Sequence, residues 1–361
     1  MQRKLKAALF TLSIIVALLL LPQVVAAKEE PGEANFSARA EIPENQVDKN
    51  QTYFDLRMQP GMEQDLTLVL TNPTKEKVSV TVEPNVATTN QNGEMDFTKR
   101  PKKQDNTLQY PFTELISDKQ VVELASNETK NVTFKLKMPQ EKIEGMILGG
   151  FYLYKNIGEE EEKAEANVQI KNRYSYVIGA KLTVDDQKVK PDVVLNEIKP
   201  DLLNYRTVVT ANLQNIKPTM IGKFKVEAKI YQKGKTEVLH ETTKENMTMA
   251  PNSNFDFPIN WDNQRLEPGK YQLKLHASSN DENWEFDKEF TIEKTDSDRL
   301  NKEAVELEEQ PMNWYLIIGI GLVIIVFLVV CVVVYKKNKK KKESLKRKKG
   351  SKKRKKKIVK K

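Results

Sequence analysis

Trp314 to Tyr335 is a run of 22 residues without a charge, and it constrains the chain more than any other feature. At about 1.5 Å per residue it extends roughly 33 Å as a helix, enough to cross a bilayer's hydrocarbon core. A helix buried in a soluble protein would keep a polar stripe, and this run has none. Trp314 and Tyr315 at one end and Tyr335 at the other match the aromatic belts of membrane interfaces. The segment 313–335 is therefore predicted to be a transmembrane helix. Beyond it, residues 336–361 hold 18 Lys or Arg against the single Glu343, whereas residues 296–313 hold six acids against Arg299 and Lys302. Lys and Arg remain on the cytoplasmic side. The polybasic tail is expected inside, and the bulk of the chain outside in the cell membrane's type I arrangement.

The N-terminus predicts the same topology independently. Arg3, Lys4 and Lys6 precede an apolar run from Ala7 to Leu21, then Pro22 and the small-residue stretch ending at Ala27. That order is the pattern of a signal peptide over residues 1–27. Charge divides accordingly. The tail carries +17 and the first six residues +3 of the overall +9, which leaves −11 for the rest. The exported part is acidic, so the basic total gives no reason to expect nucleic acid as a partner. The tail lies on anionic headgroups or serves only as a stop-transfer signal, and both readings stay open. The one cysteine, Cys331, lies in the apolar run. The exported part must therefore rest on hydrophobic cores rather than disulfides, as is more typical of Gram-positive surface proteins.

Between the two ends the dominant period is two. Leu66, Leu68 and Leu70 alternate with polar or smaller residues, as do Val132, Phe134, Leu136 and Met138, and Phe224, Val226, Ala228 and Ile230. Such alternation marks half-buried strands. Asn72-Pro73, Asn92-Gly93, Lys233-Gly234 and Pro268-Gly269 supply turns between them. The expected fold is an all-β ectodomain of two tandem immunoglobulin-like β-sandwiches plus the C-terminal transmembrane helix. The acidic stretch 158–166 is the natural seam, which puts one sandwich at 34–157 and the other at 168–294, with a charged juxtamembrane spacer at 295–312. Tyr271, following Pro268-Gly269, is either a corner tyrosine or an inward core residue.

Signals for catalysis are sparse. His240 and His276 sit in alternating strand contexts and read as solvated strand residues. The acidic run 159–162 does not form a metal cage. No catalytic, cofactor-binding or metal-ligating residue is assigned, and no cofactor is expected. Two candidate binding elements emerge instead. Pro43, Glu44, Asn45 and Gln46 are polar, turn-forming and outside the strand pattern. In Phe151-Tyr152-Leu153-Tyr154, one alternate pair must be core; outward tyrosines would form a stacking surface for sugar rings or a protein. Trp261 and Trp284 are core or patch on the same reasoning.

Several long strings resemble a known family. "IPENQVDKNQTYFDL" (42–56), "YPFTEL" (110–115) and "MPQEKIEGMILGGFYLY" (138–154) are similar to the first domain of WxL-interacting proteins of Gram-positive bacteria. "NRYSYVIGAKL" (172–182), "VTANLQNIKP" (209–218) and "NMTMAPNSNFDFPI" (246–259) are similar to the second. The resemblance implies a non-enzymatic surface scaffold or adhesin. It implies that the first domain binds peptidoglycan and the second binds extracellular-matrix components of a host, in assembly with WxL-domain surface proteins. A wall-active glycan hydrolase and a transmembrane envelope sensor are the alternatives.

Overall fold

The computed structural model describes residues 35–101, 103–156, 174–280, 282–307 and 318–337. The signal segment, the seam at 158–166, Trp314 with Tyr315, and the tail beyond Lys337 lie outside these residues. The chain divides into two units, Met1–Glu306 and Leu307–Lys361.

In chain order the first unit begins with strands β1 (Ser37–Ala40), β2 (Phe54–Arg57), β3 (Glu63–Thr71) and β4 (Val78–Val86). The short hairpin β5 (Thr88–Thr89) and β6 (Met95–Asp96) and the helical turn α1 (Phe112–Leu115) follow. Strands β7 (Gln120–Leu124), β8 (Thr129–Lys137), β9 (Met146–Lys155) and β10 (Ser175–Thr183) complete the first sandwich. One sheet has the order β1-β3-β8 and the other β2-β10-β9-β4-β7. The period-two pattern explains the layers. Along β8, Val132, Phe134 and Leu136 are buried while Thr133, Lys135 and Lys137 are exposed. The core is centred on Phe151, whose ring lies 4.9 to 6.0 Å from those of Phe54, Phe112 and Phe134. Deleting such a buried ring costs on the order of 3–5 kcal/mol.

Sheet membership differs from the expected partition at one strand. β10 pairs antiparallel with β9 from Ser175 opposite Tyr154 to Thr183 opposite Met146, and parallel with β2. It belongs to the first sandwich, although sequence reading groups residues 168–183 with the second. The acidic stretch looks like a boundary because it interrupts the apolar pattern. The strands on either side of it are nevertheless hydrogen-bonded neighbours. The chain leaves the first sandwich after Thr183.

The second sandwich comprises β11 (Val193–Leu203), β12 (Arg206–Asn215), β13 (Ile221–Gln232), β14 (Val238–Met249), β15 (Ser253–Asn260), β16 (Gly269–Ser279) and β17 (Glu282–Ile292). Its sheets run β11-β12-β15 and β14-β13-β16-β17. The first, second and fifth strands thus face the fourth, third, sixth and seventh, an immunoglobulin-like division. Trp261 is core, and Trp284 packs edge-on against Phe224 at the core's margin. Helix α2 (Lys294–Glu303) closes one end. Leu300 enters the core, and the Asn301 side chain accepts from the Leu266 N–H and donates to the Leu266 carbonyl. The first part of the expected spacer is therefore a structural element of this sandwich. Both cores lie wholly within residues 36–300.

In the second unit, helix α3 spans Ile318–Lys337 with a mean hydropathy of 3.2 and none of it buried. Twenty residues at about 1.5 Å each give roughly 30 Å, the thickness of a hydrocarbon core.

Candidate functional site

Alternation along β9 decides which pair of the Phe-Tyr-Leu-Tyr segment is core. Phe151 and Leu153 are fully buried, so Tyr152 and Tyr154 face outward on the five-stranded sheet, half-buried. Their ring centroids are 5.0 Å apart at an interplanar angle of 37°. Register extends this surface across four strands. Tyr154 lies beside Thr81 on β4 and Ser175 on β10, and Val121 on β7 lies beyond Thr81. Tyr152 lies between Glu83 and Val177. Val121 is 61% exposed and Val177 42% exposed. Two adjacent rings with aliphatic neighbours and a polar rim form a flat surface suited to the apolar face of a sugar.

The neighbouring glycines shape one border. On the inner face, a Cβ at Gly149 would lie 2.3 Å from the Phe112 ring, so this glycine admits the helical turn α1 into the core. On the outer face Gly150 is paired with Gly179. Phe97, from the loop after β6, lies over Gly150, and the Tyr53 ring lies over Gly179. Sequence reading missed Phe97, Tyr53 and Val177 as members of this surface. The "LGG" inside a strand was the available signal, because glycine in mid-strand marks close approach by another group.

The segment 42–48 lies elsewhere, along edge strand β2. Val47 and Arg57 donate backbone bonds to Asp55 and Asn45 respectively, so the segment covers that edge. Gln46 is 5% exposed; its amide donates to the Tyr53 carbonyl and its oxygen accepts from the Asp55 N–H. Asn45 and Gln64 exchange side-chain hydrogen bonds at 2.8 and 3.0 Å. The Asn50 N–H and the Gln51 amide hold the Asp48 carboxyl below its usual range. Pro43 is half-buried and Glu44 exposed. Within the segment, Asn45 and Gln46 thus hold the fold, and the structure does not bring it onto the tyrosine face.

His240 differs from the expectation of a solvated strand residue. It is opposite Ile230, shares that residue's inward face, and is 3% exposed. Its ring packs against Trp261 with centroids 4.1 Å apart at an interplanar angle of 33°, and Nδ1 is 2.8 Å from the Asp262 carboxylate. His276 is half-buried near Glu227 and Asn283.

A concave surface lies between the sandwiches, a cleft of about 700 Å³. Its walls come from residues 86–108 of the first sandwich and from the outer face of β12 and β15 in the second. Polar contacts fix the walls. Thr89 and Ser253 hydroxyls are 2.7 Å apart, and Asp105 accepts from Gln214 at 2.7 Å and Asn254 at 2.6 Å. Asn252 donates to the Thr107 carbonyl across the same junction.

A family model described as "WxL Interacting Protein, peptidoglycan binding domain" matches residues 36–155. A second, "WxL Interacting Protein, host binding domain", matches residues 165–302. The chain belongs to the WxL interacting protein family. The two matches describe binding domains of a cell-surface protein, with peptidoglycan and host components as partners and a WxL protein implied by the family name. In this WxL interacting protein the tyrosine face lies within the peptidoglycan-binding match. The host-binding match includes β10, which is hydrogen-bonded into the other sandwich. No curated protein matches the chain. Among solved structures, the chaperone–tip adhesin complex of CFA/I fimbriae is similar at 11% identity, covering 71% of this chain and 98% of that one, with a TM-score of 0.28. The E. coli chaperone DraB is similar at 14% identity, covering 65% and 90%, with a TM-score of 0.24. A PapD-like domain of human CEP192 is similar at 11% identity, covering 47% and 97%, with a TM-score of 0.25.

Proposed function

We propose that this protein is a non-enzymatic wall anchor that grips peptidoglycan sugars on the Tyr152–Tyr154 face. The carrying observation is the pair of outward rings 5.0 Å apart on a flat sheet face. Neighbouring rings present an area suited to consecutive sugars, whose axial C–H groups pack on aromatic faces while their hydroxyls reach the polar rim. In this reading the Pro43–Gln46 segment is a rim element that stiffens the sheet edge. The helix Ile318–Lys337 holds the protein in the membrane, with the sandwiches outside and the basic tail inside. Membrane attachment keeps the wall and any WxL-type partner at high local concentration, so modest contacts give firm retention. The second sandwich presents its surface to host components or to that partner.

The test is co-sedimentation of a soluble fragment, residues 28–307, which carries both cores whole, with purified cell-wall sacculi. Replacing both Tyr152 and Tyr154 by alanine is expected to weaken pelleting on the order of tenfold. Pelleting unchanged by the double substitution rejects the face. Release of soluble wall fragments by the unaltered fragment points to a hydrolase instead.

A further inference from the structure

The tyrosine face does not end at Tyr152. Its cross-strand neighbour Glu83 accepts an ion pair from Arg100 Nε at 3.4 Å, and Arg100 lines the cleft between the sandwiches. A polymer lying across the tyrosines therefore meets, at Glu83, a residue whose ion-pair partner lines the cleft. The cleft is built before any ligand arrives, because the Thr89–Ser253 and Asp105–Asn254 contacts fix its opposite walls. Pre-organised walls lower the ordering cost of binding.

The chemistry of the cleft favours an acceptor. Each of its three acids accepts at least one hydrogen bond from the protein. Asp96 accepts from Thr98, Asp105 from Gln214 and Asn254, and Asp256 from Asn212. The wall built from residues 86–108 also carries Lys99 and Lys103, both exposed, and neither forms an ion pair among the described residues. Lys99 and Lys103 are thus cationic donors at the cleft without an ion-pair partner among the described residues, which suits a carboxylate on the ligand.

We propose that the cleft between the sandwiches, through Lys99 and Lys103, binds a carboxylate carried by the wall polymer whose sugars stack on Tyr152 and Tyr154. This rests on the glycan reading of the tyrosine face. The carboxylate has two chemical sources, the lactyl ether of the sugar or the peptide attached to it, and the same two lysines serve either.

The experiment titrates the 28–307 fragment with three solubilised ligands: peptide-bearing glycan strands, the same strands stripped by an amidase so that the lactyl carboxylate is free, and neutral chitotetraose. A strand bearing the favoured carboxylate is expected to bind five- to tenfold more tightly than chitotetraose. The double variant Lys99→Gln, Lys103→Gln is expected to abolish that difference while leaving chitotetraose binding unchanged. Preference for peptide-bearing strands assigns the carboxylate to the peptide, and preference for stripped strands assigns it to the lactyl group. Equal affinity of the lysine variant and the unaltered fragment for all three ligands overturns the proposal. A fragment that binds none of the three overturns the glycan reading itself. The lysines are exposed and make no ion pair among the described residues, so loss of folding in the variant is not expected, and its unfolding curve is the control.

Discussion

The Tyr271 hydroxyl donates a hydrogen bond to the Glu267 carbonyl at 2.8 Å, spanning the corner that leads into β16. The ring itself is 4% exposed, packed at 5.6 Å from Trp261 and stacked at 5.5 Å on Phe290. The residue is a corner tyrosine and a core residue together. The two readings of the sequence are compatible because the ring enters the core while the hydroxyl turns back to the chain. Replacing Tyr271 by phenylalanine keeps the packing and removes one bond. Urea unfolding of the 28–307 fragment should show a loss of about 1 kcal/mol for the second sandwich, with the slope unchanged.

The same tyrosine makes stability sensitive to alkali. Burial, and secondarily the Glu267 carboxylate, raise the phenol's pKa above its ordinary value of 10.0. In the folded state the neutral form is favoured, so above about pH 10 the unfolded chain holds fewer protons than the folded one, and stability falls with rising pH. Below that value the contribution is fully present. Melting temperatures measured from pH 8 to 11 should drop more steeply at the alkaline end for the unaltered fragment than for Tyr271→Phe.

The layers of both sandwiches were legible in the sequence because each strand buries one face, and period two records that directly. Tyr152 and Tyr154 were identifiable as a surface alternative, but their direction depended on Phe151 meeting Phe54, Phe112 and Phe134, which no local pattern encodes. Phe97 over Gly150 and the cleft walls were hidden for the same reason: they join residues far apart in the chain. The seam at 158–166 falls at the junction of the two family matches, yet the sheets divide only after Thr183, because an acidic stretch between two paired strands looks the same in sequence as one between domains. His240 was misread because its strand alternates imperfectly; the register of β14 against β13 shifts near Phe224 and again after Ile230.

Asn72 and Asn215, each at the end of its sandwich's second or third strand, are fully buried and perform the same task. The Asn72 amide donates to the carbonyls of Glu76 and Ala125, and its oxygen accepts from the Thr74 N–H. The Asn215 amide donates to Thr219 and Ala250, and its oxygen accepts from the Lys217 N–H. Each ties the chain leaving its strand to a distant loop. Alanine at either position leaves buried carbonyls unsatisfied, at about 1–3 kcal/mol each. Asn72→Ala should lower the unfolding midpoint of the first sandwich and Asn215→Ala that of the second. Equal effects on both transitions from either change would contradict the separate roles.

Gly145 joins the sandwiches by close approach. Its φ is +63°, a left-handed conformation that side chains other than those of glycine and asparagine rarely adopt. An added Cβ would lie 2.2 Å from the Pro218 carbonyl oxygen, and that oxygen accepts the Met146 N–H at 2.9 Å. The backbones of the two sandwiches therefore meet at a point where no side chain fits. Gly145→Ala forces the carbonyl away and breaks the bond, while both cores stay intact because neither includes this residue. The expected result is a fragment that keeps its strand content by circular dichroism but shows a larger radius of gyration in small-angle scattering. If the scattering curve of Gly145→Ala superposes on that of the unaltered fragment, this contact does not hold the sandwiches together, and the buried Thr89–Ser253 pair becomes the bond to remove next.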